Sequence, residues 1–507
     1  MLAKRWLLLC LLFSPVSFLA AQKIVYSEPD RDDSRRMNFE IAGKIGGNFL
    51  IYKNTRGRNW IVVLDNDMKQ VGKEEQDYVP DNDRMINVDF FPYGDFCYMV
   101  YQYQKKNVVY CMASRINSTG KKIGDVMELD TTHIGFAANN KIYTVISSED
   151  KSKIGVFKIN SRNKKLYAMT TLLLNDKLEL QKKSRIYIPM EERNDNLGEF
   201  AIDNDGDMIF SKFFRNNNDN ISSAFLVIKQ AQSDTLMYNE LSIEANMLDE
   251  IQVKVDNFNK RYFLTSFFYK EKRGNIDGLY FYVWDKARMM KSMESTSTFS
   301  DELRKEAKGD ATMKTAFNDF FIRNIVTRRD GGFIIGSEAY FTTSRFNNWN
   351  RWDYLYGSPF SQSFNDYYYS PYYSRYWWNS RSSSSQAVRY HADNIAVLSF
   401  DNTGQLEWSN VIGKSQFDDE SDDNISFQLM NTGGQLHFLF NQQERRNNLL
   451  TDYSITPDGQ MNRNPTLKNL DRGYEFLPKY GKQVSGRQMI VPCVYRNYIC
   501  FAKIDYN

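Results

Sequence analysis

Apolar and polar residues alternate in short runs along nearly the whole chain, with β-branched and aromatic side chains concentrated in the runs, the pattern of half-buried strands rather than helices. The runs fall into two series. Phe49-Leu50-Ile51-Tyr52, Lys141 to Ile146, Met208 to Phe213, Arg261 to Phe267, Phe333 to Gly336, Gln435 to Phe440 and Gln488 to Val494 are expected as second strands of repeating units. Trp60 to Leu64, Val108 to Ser114, Lys153 to Ile159, Ala224 to Lys229, Leu279 to Trp284, Asn394 to Phe400, Leu449 to Ile455 and Tyr498 to Ile504 are expected as their third strands.

Turn residues punctuate these runs in a fixed order. A Gly- or Asn-centred turn comes first, as in Gly46-Gly47-Asn48, Tyr93-Gly94-Asp95, Asn139-Asn140-Lys141, Asp205-Gly206-Asp207 and Asp330-Gly331-Gly332. A second turn, usually opened by Asp or Asn, follows each: Leu64-Asp65-Asn66, Ile116-Asn117-Ser118, Ile159-Asn160-Ser161, Phe400-Asp401-Asn402. Two hairpins repeated at spacings of roughly fifty residues plus insertions are the mark of a four-stranded β-propeller blade. The chain is therefore expected to be all-β, an eight-bladed β-propeller with seven blades as the alternative. Its last unit stops just past Asp505 and lacks a fourth strand, which Lys23 to Ser27 can supply, so that closure removes two free sheet edges.

In such a repeat, the turns between strands one and two and between strands three and four share one face. The other connections share the opposite face, and the long ones fall there: Leu174 to Leu197, Ser292 to Phe320, Ser344 to His391 and Gly413 to Asn424. Long loops on a rigid scaffold are where binding residues sit. Within the second of these, Ser300 is placed to cap a short helix through Asp301, Glu302 and Leu303 to Lys308.

Lys4 and Arg5, an apolar run from Trp6 to Leu19 and the small residues Ala20-Ala21 read as a secretory signal peptide over 1–21, leaving 22–507 as a single domain. No other segment has the apolar length of a membrane-spanning helix. The expected location is periplasmic or secreted. The chain's 65 Lys and Arg, less Lys4 and Arg5, stand against 62 Asp and Glu, so the remainder is close to neutral. Scattered basic residues without a concentrated patch exclude nucleic acid as a partner. Export permits disulfides, and Cys97 with Cys111 and Cys493 with Cys500 are the candidate pairs. A two-residue turn at Arg496-Asn497 sets Cys493 opposite Cys500, within bridging range, although two buried thiols fit the same pattern.

The strongest local anomaly is the insertion 344–391. Half of the tryptophans lie in it, with Trp349, Arg351, Trp352, Tyr354, Tyr368, Tyr372, Arg375, Tyr376, Trp377 and Trp378 as candidate binding residues. Tyr and Trp supply contact area at low entropic cost and Arg stacks on them, which suits a protein partner. Such rings also stack on saccharides, and they can equally fold back to cap the ring. Asp418-Asp419-Glu420-Ser421-Asp422-Asp423 has the carboxylates to bind Ca²⁺ or to form a solvated acidic loop, and Asp203-Asn204-Asp205-Gly206-Asp207 reads as a tight turn. His133, His391 and His437 lie in different repeats without a metal-ligand spacing, and the chain has no GxSxG, HExxH or P-loop. No cofactor or metal is expected. Carboxylates distant in sequence can still meet on a propeller face.

The segment Leu398-Ser399-Phe400-Asp401-Asn402-Thr403-Gly404-Gln405-Leu406-Glu407-Trp408 resembles the blade motif of quinoprotein-like propellers. It is also similar to the Asp-box of sialidase-like propellers, with Gly404 one residue late. The resemblance implies a propeller, in the manner of uncharacterised exported bacterial proteins, and neither a quinone nor sialidase residues. The expected function is an exported binding or scaffolding module acting through the elaborated face on a protein or cell-envelope glycan. A glycan-binding or glycan-hydrolysing propeller is the alternative, to be distinguished by carboxylates converging beside the aromatic insertion.

Overall fold

In one unit after another the chain reverses on an Asp or Asn whose side chain caps its own turn. Asp65 Oδ1 accepts the N–H groups of Asp67 and Lys69, Asn117 Oδ1 those of Thr119 and Lys121, Asn175 Oδ1 those of Lys177 and Glu179, and Asp401 Oδ1 those of Thr403 and Gln405. The fourth turn residue then takes a left-handed backbone, which Gly404 adopts freely at φ +80°. Leu178 adopts it at φ +62° despite its Cβ, and burying its side chain in the core offsets the strain.

A computed structural model describes residues 23–30, 37–80, 85–138, 141–163, 165–190, 194–215, 220–243, 246–272, 274–344, 351, 355, 368–369, 388–419, 421–444, 447–464 and 473–506. Their strands form antiparallel four-stranded units in chain order. The first unit comprises Asn38–Ile45, Asn48–Thr55, Arg58–Leu64 and Gln70–Glu75, and the sixth Phe320–Thr327, Phe333–Ser344, Val388–Phe400 and Leu406–Asp418. Among the described residues such units follow one another in seven sheets, one of them nine-stranded, whose two halves, numbered here as the fourth and fifth units, are joined through the two-residue strand Met247–Leu248. The fold is a multi-bladed β-propeller. As expected, Lys23–Tyr26 completes the last unit, pairing Lys23 with Asp505 and Tyr26 with Ala502.

The apolar core lies between units rather than within one. Ile61 and Val63 of the first unit meet Val88 and Met99 of the second, and the pattern continues around the molecule. Met37, Ile41 and Phe49 meet Ile490, Val494 and Phe501 of the last unit, which closes the circle. Each fully buried side chain of this size contributes about 1.5–3 kcal/mol. Turn-to-turn hydrogen bonds lace the smooth face. Gly46 N–H donates to Gly94 O, Tyr93 Oη to Lys151 O, Asp150 N–H to Asn204 Oδ1, Asn204 N–H to Asn257 Oδ1 and Asn259 Nδ2 to Arg328 O.

Two expectations are corrected. The third unit is shifted by one strand: Thr144–Ser147 is its first strand, Lys153–Asn163 its second and Leu166–Asn175 its third, with the capped turn at Asn175 rather than Asn160. The supposed insertion Leu174 to Leu197 accordingly contains the fourth strand, Leu180–Pro189, so that connection is short. Cys97 and Cys111 cannot pair. Cys97 lies opposite Ile116 and Cys111 opposite Gln102, and the two sulfurs belong to apolar clusters on opposite faces of their sheet. The short helix forms over Asp301–Ala307, with Ser300 Oγ accepting Leu303 N–H. Among the described residues, no helix is long and apolar enough to cross a membrane.

Candidate functional site

The long insertion of the sixth unit leaves from Ser344 and returns at Val388, between strands two and three, on the face opposite the capped turns. Its described residues show how it is held. Arg351 is 8% exposed and grips Asp249, itself fully buried, with Nε at 2.9 Å and Nη2 at 2.5 Å from Oδ2. A third bond runs from Nη1 to Asn318 O at 3.1 Å, and the guanidinium lies 3.8 Å from the centroid of Phe321. Burial works against its charge, but Asp249 outweighs burial and holds Arg351 protonated. Asp249 is further fixed by Tyr269 Oη at 3.1 Å. Leu355 packs with Phe321, Tyr340, Ala392 and Ile425.

Arg351, expected among the binding residues, is thus a buried anchor at the seam between the fifth and sixth units and is not presented to a partner. Tyr368 and Tyr369 form a short strand against Asn160 and Ile159 of the third unit, so the insertion reaches across the face. Trp349, Trp352, Tyr354, Tyr372, Arg375, Tyr376, Trp377 and Trp378 lie outside the described residues. At the returning end, Arg389 donates to both carboxylate oxygens of Asp419, at 2.6 and 3.0 Å, and covers the ring of Phe417.

The described carboxylates of the acidic run are spent on internal contacts. Asp419 binds Arg389, Asp422 lies 2.7 Å from Lys479 Nζ, and Asp423 accepts Tyr480 Oη at 2.5 Å, tying the sixth and seventh units to the eighth. Asp203 to Asp207 is the expected tight turn, with Asp203 Oδ1 accepting two backbone N–H groups. Its carboxylates converge on the ammonium of Lys286, which lies 2.7 Å from Asp205 and 3.0 Å from Asp207. A side-chain cation already fills that centre. His437 is buried, 2.9 Å from Asp452, and serves the core.

Beside the Arg351 anchor sits a pair of carboxyls that motif reasoning missed. Glu199 occupies a bulge in the first strand of the fourth unit, where register shifts between Gly198 and Ala201 and its own φ is +55°. Burial first, then the charge of Glu250, pushes its carboxyl up to about 8, while the Val253 N–H holds it partly down. Glu250 precedes the first strand of the fifth unit. Its Oε1 accepts Gln252 Nε2 at 2.8 Å, and its Oε2 is sealed from solvent without a hydrogen-bond partner among the described residues. Burial raises its carboxyl to about 7, with Arg351 and Arg323 opposing and Asp249 assisting. Two carboxyls that keep their protons near neutrality can donate as well as accept hydrogen bonds. The sequence signal was present in Asp249-Glu250, two adjacent acids flanked by Met247-Leu248 and Ile251.

No family model and no curated protein matches this chain. Among solved structures it is similar to an ulvan lyase of polysaccharide lyase family PL25, at 10% identity over 82% of this chain and 94% of that one, with a TM-score of 0.37. The uncharacterised protein lmo1340 from Listeria monocytogenes gives 8% identity, 82% and 93% coverage and a TM-score of 0.37. Oligopeptidase B from Leishmania major gives 8% identity over 92% of this chain but 54% of its own length, with a TM-score of 0.39. None of these activities is carried over to this chain.

Proposed function

We propose that this is an exported binding or scaffolding module, an eight-bladed ring that engages its partner through the face carrying the long insertion. The observation that carries the reading is the anchor: a buried, three-fold hydrogen-bonded arginine fastens an aromatic-rich loop to a rigid seam. A loop held at its base presents its rings at a reduced entropic cost on binding. The test is a pull-down from the native cell envelope, beside a glycan array, with intact protein and with a variant in which 356–387 is replaced by a short Gly-Asn turn. The variant retains Arg351 and Leu355 and is expected to keep the fold while losing its partner. Equal capture by both proteins rejects the reading.

A glycan ligand is the second reading, favoured by the carboxyl pair of Glu199 and Glu250 beside Arg351. A protonated carboxyl beside an accepting one suits sugar hydroxyls or acid–base chemistry on a glycosidic bond. Glu199→Gln and Glu250→Gln would then lower glycan binding or turnover at least about tenfold without altering capture of a protein partner.

A further inference from the structure

In the unit that closes the ring, strands Gln488–Tyr495 and Tyr498–Asp505 are joined by Arg496 and Asn497, both in the left-handed region at φ +48° and +71°. This tight turn places Cys493 directly opposite Cys500. Their sulfurs lie 2.9 Å apart and both residues are buried. Directly opposed Cα atoms in an antiparallel pair meet the spacing that a cystine needs, with no backbone movement.

The N-terminal strand covers this pair. Lys23–Tyr26 adds to the outer edge of Tyr498–Asp505, Ser27 N–H donates to Phe501 O, and Ile24 and Tyr26 pack on the cluster that contains both cysteines. The Tyr26 ring lies 4.6 Å from that of Tyr474 and 6.2 Å from that of Phe476, completing an aromatic lid.

We propose that Cys493 and Cys500 form a disulfide in the native protein, made before the N-terminal strand docks and then sealed beneath it. The thiolate of one cysteine attacks a disulfide of the surrounding compartment, low-molecular-weight or protein-borne, and releases one thiol from it. The second cysteine attacks the resulting mixed disulfide and releases the other. The S–S bond forms as two electrons and two protons pass to the external disulfide, which leaves as two thiols. Burial pushes the Cys493 thiol well above its ordinary range, with Cys500 adding to the effect, so the attacking thiolate is scarce once the ring has closed. Cys97 and Cys111, on opposite faces of one sheet, have no such route and stay reduced.

The proposed export enters only as the place where the oxidant is met. Refolding the purified chain with glutathione disulfide tests the bridge without it. After alkylation and trypsin digestion under non-reducing conditions, peptides 488–496 and 497–503 should emerge linked, with Cys97 and Cys111 alkylated. Alkylated Cys493 and Cys500, or either one linked to Cys97 or Cys111, overturns the proposal. The sealing is tested by reducing the oxidised protein with dithiothreitol, where the intact ring should react roughly tenfold more slowly than a chain lacking residues 22–27. Tyr26→Gly, which loosens the strand without removing it, replaces the truncation should that chain not fold. Equal reduction rates overturn the order of events.

Discussion

Gly433 and Gly459 show how one backbone requirement has two different costs. Both sit in left-handed turns, at φ +85° and +86°. A Cβ on Gly433 meets open space, whereas one on Gly459 comes within 2.7 Å of the Trp408 ring, whose Nε1 donates to Pro457 O. Gly433→Ala should therefore cost about 1 kcal/mol from backbone strain alone, and Gly459→Ala about 2–4 kcal/mol in chemical denaturation. Equal losses would remove the Trp408 contact as the cause. At the anchor, Arg351→Met strands the buried Asp249 and should destabilise by about 3–5 kcal/mol, much of it recovered by adding Asp249→Leu. The carboxyl pair sets a pH dependence. Glu199 and Glu250 are raised in the folded state above their unfolded values, so the folded chain binds more protons between roughly pH 4.5 and 8. Their contribution is complete below the unfolded range and is lost as pH rises through the folded values. Melting temperature should fall from pH 5 to pH 8, and the double Gln variant should flatten the decline.

Most elements were legible because the turn chemistry repeats. An Asx side chain accepting the N–H groups two and four residues on requires Asp or Asn at the start and favours Gly at the fourth place, and alternation marks the flanking strands. The third unit escaped that logic. Its capped turn has Leu178 where the Asn117 and Asp401 turns have Gly120 and Gly404, while Asn160 lies inside a long strand and imitates a turn. Arg351 was misread for another reason: Arg among aromatic residues suits an exposed patch and a buried cation site equally, and only Asp249, distant in sequence, decides. Glu199 carried no local signal beyond the adjacent Gly198. At this scale the closing strand offers the sharpest test. Removing residues 22–27 deletes the register from Lys23–Asp505 to Tyr26–Ala502 and uncovers Ile24 and Tyr26 contacts in the last unit. The truncated protein should melt at lower temperature and show hydrogen exchange spreading through 488–505, and an unchanged melting curve would refute the clasp.

Across the molecule, stability is shared among seams, since the large apolar clusters of the described residues join neighbouring units. The last of these seams sets a constraint on time. Tyr26 and Ala502 are partners although almost the entire chain separates them, and joining ends so far apart costs about 5 kcal/mol in loop entropy. Contacts of such long range form late and slowly. Strand Lys23–Tyr26 is made long before its partner Tyr498–Asp505, so until that partner has emerged the growing chain holds two open sheet edges, and a chaperone that shields them would act on the nascent protein rather than on the finished ring.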